Sequence, residues 1–398
     1  MARFLFVWEL GGDYGHFARL LPVALALRAR GHEVVFAVRD LMGAETLVRP
    51  HGIESFQAPL WLRKVARLPD PISYPEMLMR FGFLNATALT GVCRAWRSLI
   101  AVLKPDAVVL DHAPTALLAT RGLSLARINF GDGFCIPPAT LPMPHFCWWQ
   151  DEDPVRLAHS EQHAFATANQ VLQTLNAPLL THMGALGDCK VTLMCTIAEL
   201  DHYPQRGPQD YLGPIFSLGQ GVDPPWPDGT GPRLFAYLKS GHGLLDLMLE
   251  SLQKSGVRAL VHIAHATRQT LARFSRGNMF ISPEPLLMKR MAAECDLALC
   301  HGGAGTTAAL LLAGKPMLLV PTQTEQAMAA HRVASLGAAR LITPDVAAHF
   351  PALLASALGD KAMQQAAQAF AQAHQGYTQQ ATIQAAADRC ESALQTAP

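Results

Sequence analysis

The run Cys300-His301-Gly302-Gly303-Ala304-Gly305-Thr306-Thr307 carries an apolar strand through glycines into a helix. A helix start presents unpaired N–H groups and the positive end of the dipole, which together favour an anion. Glycines there let a bulky ligand approach the backbone closely. His301 and Gly302, Gly303, Gly305, Thr306 and Thr307 are therefore read as holding a diphosphate. Fixed N–H dipoles and an imidazole aimed at a leaving group stabilise the charge that grows on it. The next strand, Lys315 to Pro321, leads to Glu325-Gln326, an acid and an amide suited to sugar hydroxyls. Phosphate on one side and sugar partners on the other describe a sugar nucleotide. Near the N-terminus, Gly11-Gly12-Asp13-Tyr14-Gly15-His16 forms a second turn from strand to helix. A helix N-terminus disfavours an imidazolium, so His16 is kept neutral and able to take a proton. Asp111 ends the apolar strand Val108–Leu110 and places a carboxylate at the same edge; the competing role is N-cap of a helix starting near Pro114. Ser240, just past strand Leu234–Leu238, is a further candidate for a phosphate or acceptor contact.

These turns need elements to hold them. A chain of 398 residues, half of them hydrophobic, has room for two domains with sizeable cores. Arg3–Trp8, helix Phe17–Arg30 and Val34–Val38 read as a βαβ unit. Ala107–Leu110, helix Thr115–Arg121, Ser124–Phe130 and Val191–Cys195 extend it. Pro75–Leu103 and Pro154–Met183 read as largely helical. Prolines and glycines then crowd from Asp201 to Pro232, a composition that breaks helix and central strand and marks an interdomain connection. Alternation restarts with strands Leu234–Leu238, Ala259–Ile263, Met279–Ser282, Leu297–Cys300 and Met317–Val320. Helices are expected between them at Leu244–Ser255, Leu286–Ala293, Thr306–Ala313 and Gln326–Leu336. The tail, Pro344 to Thr396, reads as two or three helices. The fold class is α/β: two Rossmann-like, doubly wound parallel-sheet domains facing a cleft, with ligands beyond the carboxyl ends of the strands. The expected division is 1–215 for an acceptor-binding domain and 216–232 for the linker. Residues 233–375 form a nucleotide-sugar domain, and 376–398 a terminal helix whose candidate partner is the first domain.

Gly15-His16, Leu21-Pro22, Leu25-Ala26 and Arg30-Gly31-His32-Glu33-Val34 resemble the opening pattern of GT-B glycosyltransferases. The likeness is to the family of UDP- and dTDP-sugar enzymes from plants and from bacterial natural-product pathways. Asp296 through Gln326 resembles that family's C-terminal nucleotide-sugar signature. The resemblance implies that His16 deprotonates an acceptor hydroxyl and that Asp111 orients it, as the acid of a triad does. It also places the nucleotide base at Ser282-Pro283-Glu284-Pro285-Leu286-Leu287, with Pro285 and Leu286 as contacts. The tryptophan of plant members is missing there, which leaves uracil and thymine both open. The implied activity is inverting, metal-independent transfer of a hexose from a UDP- or dTDP-sugar to a hydroxyl of a small apolar or aromatic acceptor. No cofactor is expected beyond the donor. Two competitors share the architecture: a non-hydrolysing sugar-nucleotide 2-epimerase and a non-catalytic accessory subunit.

Other signals are weaker. A formal net charge of +1 without a basic run offers no purchase for nucleic acid. The eight cysteines have no CxxC spacing, and no metal site is expected. The N-terminus does not fit a signal peptide and no apolar run is long enough to span a bilayer, so a reducing cytoplasm is the expected setting. Asp151-Glu152-Asp153 is formally DxD, but it precedes Pro154 and a helix, where acids favour the dipole. His159 and His163 lie in HSEQH rather than HExxH, so the geometry of a zinc protease fails. The glycines at 11–15 do not fit GxGxxG, and Arg39-Asp40 is a poor ribose partner for a nicotinamide cofactor. His112 is a second candidate base. Phe130, Phe134, Phe146, Trp148 and Trp149 are candidates for an acceptor pocket or for loop packing.

Overall fold

The computed structural model describes residues 1–12, 14–216 and 219–395. Asp13 of the first glycine turn, Ser217 and Leu218 of the expected linker, and residues 396–398 of the expected terminal helix lie outside the described residues. The chain divides into two compact units. One holds Met1–Ala198, Tyr203–Ile215 and the segment from Thr378 onward; the other holds Glu199–His202 and Phe216–Tyr377.

The first unit runs β1 (Arg3–Trp8), α1 (Gly15–Ala29), β2 (Glu33–Val38), α2 (Leu41–Leu47), β3 (Glu54–Gln57), α3 (Tyr74–Met79) and α4 (Ala86–Leu103). It continues through β4 (Ala107–Asp111), α5 (Pro114–Ala119), β5 (Ala126–Gly131), α6 (Pro154–Thr174) and β6 (Val191–Met194). All six strands are parallel, in the order β3-β2-β1-β4-β5-β6. Continuous apolar runs such as Phe4–Val7 and Ala107–Leu110 suit strands covered on both faces.

The second unit repeats the plan. It comprises β7 (Arg233–Lys239), α7 (Leu245–Lys254), β8 (Arg258–Ala264), α8 (Arg268–Phe274), β9 (Met279–Ser282), α9 (Met288–Glu294) and β10 (Leu297–Cys300). Then come α10 (Ala304–Leu312), β11 (Met317–Leu319), α11 (Thr324–Ser335), β12 (Ala339–Leu341), α12 (Phe350–Leu358) and α13 (Lys361–Ala373). The order is β12-β11-β10-β7-β8-β9. In each sheet the first strand lies at the point where strand order reverses, beside the fourth. Open parallel sheets bind ligands at that switch point.

The last helix, α14 (Gln379–Gln395), packs on α1, β4, β5 and β6 of the first unit. It buries Ile383, Ala386, Ala387 and Cys390, residues that recur at helical spacing. Arg30 and His32 pair with Glu391 from the end of α1 and the start of β2.

Several expectations about elements need correction. The helix expected across Pro75–Leu103 is broken between α3 and α4. Gly82 adopts φ 103, and a side chain there would meet Trp61 at 2.9 Å. Asn85 then caps α4 by accepting the Ala88 N–H at 2.9 Å. The helix from Pro154 stops at Thr174 because Asn176 turns left-handed, with φ 51. The elements α2, β3, α8 and β12 were not foreseen. β3 and β12 are short strands at sheet edges with little continuous apolar pattern. No helix among the described residues is long and apolar enough to cross a membrane.

Candidate active site

In the first unit, the β1–β4 register pairs Trp8 with Asp111, so both strands end together. His16 is the second residue of α1, and its ring stacks on Trp8 with centroids 4.7 Å apart and planes at 22°. Its Nδ1 lies 2.8 Å from Asp111 Oδ2. Asp111 is fully buried. Burial alone would raise its carboxyl, but Arg19 and His16 outweigh that and hold it below its ordinary value. An ionised carboxylate only accepts, so Nδ1 carries a proton, and in the neutral ring Nε2 is the nitrogen with the lone pair. The expected pair of His16 and Asp111 is thus brought together, in the tautomer a general base needs.

Asp111 is free for this because another residue serves the helix that follows it. Glu9 accepts the Thr115 N–H at 3.0 Å, the Thr115 hydroxyl at 2.9 Å and the Ala116 N–H at 2.6 Å. The capping role weighed for Asp111 at α5 therefore belongs to Glu9. Burial pushes the Glu9 carboxyl up to about 7, against the pull of those donors. His112, the alternative base, is also buried, and burial lowers it to about 3. Such a ring is a feeble proton acceptor at neutral pH.

Gly11 explains why glycine precedes His16. Its φ is +93, and a Cβ there would sit 2.3 Å from His16 Nε2. Gly11→Ala is therefore expected to displace the imidazole and cut transfer at least tenfold, with a backbone cost of about 1 kcal/mol. Rate assays beside urea denaturation check this; a fully active variant would show that Nε2 is not confined as described.

Arg19 and Asp132 were not among the expected site residues. Arg19 is one turn along α1 from His16, on the same face, and is buried. Its Nη2 lies 3.2 Å from Asp111 Oδ1, and its Nη1 donates to Asp132. The readable signal was an arginine three residues after the histidine, inside a helix otherwise apolar on that side. Phe130, Phe134 and Phe146 belong to the core, which leaves Trp148 and Trp149, half-buried, as the exposed part of the expected aromatic pocket. Asp153 caps α6 by accepting the Arg156 N–H at 3.0 Å, and His159 and His163 lie exposed on that helix. Among the described residues, no three His, Cys, Asp or Glu side chains gather as a metal would require.

In the second unit, β10 and β11 pair in register from Ala298 to Cys300, so the turns after them are neighbours. His301 follows β10 and places Nδ1 2.8 Å from the Val320 carbonyl, which fixes its ring. Gly302 turns left-handed with φ +84, and Gly303 leads into α10. The helix starts at Ala304, two residues earlier than expected, so Gly305 and Thr306 fall in its first turn. The first intrahelical bond is Thr307 N–H to Gly303 C=O at 3.0 Å, which leaves the N–H groups of Ala304, Gly305 and Thr306 ahead of the ladder. The N-cap residue, Gly303, has no side chain to cap them. Gly305 also lies close to Phe216, whose Cβ would be 3.2 Å from an added methyl. Thr307 is buried, and its hydroxyl has no partner among the described residues.

Glu325 and Gln326 are in the first turn of α11. Gln326 is buried, and its Oε1 accepts the Thr322 N–H at 3.0 Å and the Thr322 hydroxyl at 2.9 Å, leaving its amide N–H groups as donors. Glu325 is partly exposed, with His202 Nε2 3.4 Å from its carboxylate. Ser240 is exposed in the turn after β7. At the expected base-binding segment, the Pro285 carbonyl accepts from Val222 N–H at 2.8 Å, and Leu287 N–H donates back to Val222 at 3.0 Å. Pro285 is exposed and Leu286 buried.

Residues 266–389 match the glycosyltransferase family 28 C-terminal domain. The chain is 35% identical over 355 residues to glycosyltransferase GtfE of Amycolatopsis orientalis, a match covering 82% of this chain and 83% of that protein. It is 26% identical over 410 residues to the PGL/p-HBAD biosynthesis glycosyltransferase of Mycobacterium tuberculosis, covering 95% and 90% of the two chains. Among solved structures, spinosyn rhamnosyltransferase SpnG complexed with thymidine diphosphate superposes with a TM-score of 0.66 at 17% identity, over 98% of this chain and 99% of that one. Two parallel sheets of one repeated strand order, and the relative 35% identical over 82% of this chain, place the chain among the GT-B glycosyltransferases of the family 1-like group.

Proposed function

We propose that the chain transfers a hexose, with inversion, from a UDP- or dTDP-sugar to a hydroxyl of a small apolar or aromatic acceptor. The observation that carries the reading is His16: Nδ1 is committed to buried Asp111, so that Nε2, beside Gly11, is the ring nitrogen available to take a proton. Nε2 takes the acceptor proton as the acceptor oxygen bonds to the anomeric carbon. The bond from that carbon to the diphosphate oxygen breaks, and the nucleoside diphosphate leaves with the electron pair. Attack opposite the leaving group inverts the anomeric centre. Asp111 stabilises the imidazolium while it lasts. The leaving charge falls to the N–H groups of Ala304, Gly305 and Thr306 and to His301, a role a divalent cation would otherwise fill. Glu325 and the Gln326 amide orient the sugar, with Ser240 near a phosphate and Pro285 and Leu286 beside the base.

Both donor nucleotides fit this reading, and the SpnG complex holds thymidine diphosphate. The apolar or aromatic acceptor rests on Trp148 and Trp149, which are half-buried rather than part of the core. A thermal-shift panel of UDP, dTDP and GDP tests the donor. A nucleotide at a hundred times its Kd adds about 2.7 kcal/mol and raises Tm by a few degrees. UDP or dTDP should do so and GDP should not. A sugar-nucleotide isomer formed without any acceptor would instead favour the epimerase.

A further inference from the structure

We propose that Arg19 and Asp132 are positioning residues of the proton-accepting site: Asp132 occupies Arg19, so that Asp111 remains available to stabilise the imidazolium of His16. This inference rests on the reading of His16 as the base. Its ground is the layout of four charged or chargeable side chains, all nine-tenths buried or more. Arg19 donates through Nη1 to Asp132 and lies 3.2 Å through Nη2 from Asp111 Oδ1. The same Nη2 is 3.2 Å from His16 Nδ1, close enough to repel a second positive charge there. With His16 neutral, the cluster holds two carboxylates against one guanidinium. When Nε2 takes a proton, the count becomes two against two. The buried cluster therefore reaches neutrality in the state the reaction must pass through, and a low-dielectric setting makes that balance matter. Without Asp132, Arg19 would satisfy itself on Asp111 alone, and the proton would arrive on a cluster already neutral.

Among the described residues, the other groups in contact with this cluster carry no competing charge. Trp8 covers one face of the ring. The His112 ring, centred 6.2 Å away, is kept neutral by burial and by His16. Cys135, 3.7 Å from Arg19 Nη2, is held as a thiol by burial and by Asp132. Tyr74, which faces His112, is held as a phenol by burial. Among the described residues, Arg19 and Asp132 are thus the charges of this cluster, apart from Asp111, that bear on how readily His16 is protonated.

The two residues act with opposite sign, which a purely structural role would not produce. The test is the titration of the His16 ring nitrogens by NMR in full-length, selectively 15N-histidine-labelled protein without substrate, assigned by comparison with His16→Ala. Asp132→Asn should move the midpoint down by about one pH unit, and Arg19→Met should move it up by a similar amount. The double variant should return it close to wild type, and Arg19→Lys should leave it nearly unchanged. Transfer to 4-methylumbelliferone from UDP- or dTDP-glucose should show the acid limb of the rate profile moving in step. Shifts of the same sign, or no shift in the isosteric Asp132→Asn variant, overturn the proposal; that variant decides the matter alone if Arg19→Met does not fold. Failure of the underlying reading looks different: His16→Ala would then transfer sugar at the wild-type rate whatever the midpoints do.

Discussion

His16→Ala should reduce transfer by about two to four orders of magnitude, the usual contribution of a positioned base. Donor affinity should be unchanged, because the residues proposed to hold the nucleotide belong to the other unit. The size of the effect follows from the local geometry. Trp8 fixes the plane of the ring, Asp111 fixes its tautomer, and Gly11 leaves room at Nε2. Alanine removes the proton acceptor and leaves Asp111 buried against Arg19, which still satisfies it. The scaffold should therefore survive, and the loss should appear in kcat rather than in Tm. Single-turnover rates with 4-methylumbelliferone, set beside calorimetric titration of UDP and dTDP, separate the two effects. A variant with wild-type turnover would reject His16 as the base.

The second large effect is expected at Gly302. Its backbone has φ +84, and an added Cβ would lie 2.9 Å from the main-chain oxygen of Gln326. Gly302→Ala must therefore strain the turn or push the start of α10 away from α11. The backbone term alone costs about 1–3 kcal/mol. Displacing the turn also moves the N–H groups of Ala304, Gly305 and Thr306, so nucleoside diphosphate affinity should fall more than tenfold. Gly303→Ala is the matched control, since that position has open space around it and an ordinary φ of −61. It should fold like wild type. Urea denaturation and calorimetric titration of the two variants make the comparison. Undiminished nucleotide affinity in a destabilised Gly302→Ala protein would separate the turn from the anion site.

The two sheets were legible because their inner strands are buried on both faces and read as short apolar runs. Leu234–Leu238 and Leu297–Cys300 were visible for that reason, and the glycine turns after β1 and β10 are punctuation that only such backbone paths require. What periodicity could not reach were elements held by neighbours rather than by their own pattern. β3 reads Glu-Ser-Phe-Gln and is a strand because β2 offers it a free edge. The break before α4 depends on Trp61 packing against Gly82, a contact between residues twenty-one apart in sequence.

The site divides along the same line. The positions of His16, Asp111, His301 and Glu325 at the ends of strands and the starts of helices could be read from the sequence, since those places depend only on local chain direction. Which carboxylate serves which partner could not. Glu9 rather than Asp111 takes the free N–H groups of α5, and Arg19 ties Asp111 to Asp132, through contacts between residues about a hundred positions apart. Such pairings are settled when separate strands come into register and bury their ends together, because a buried charge must find whatever partner the fold brings within reach.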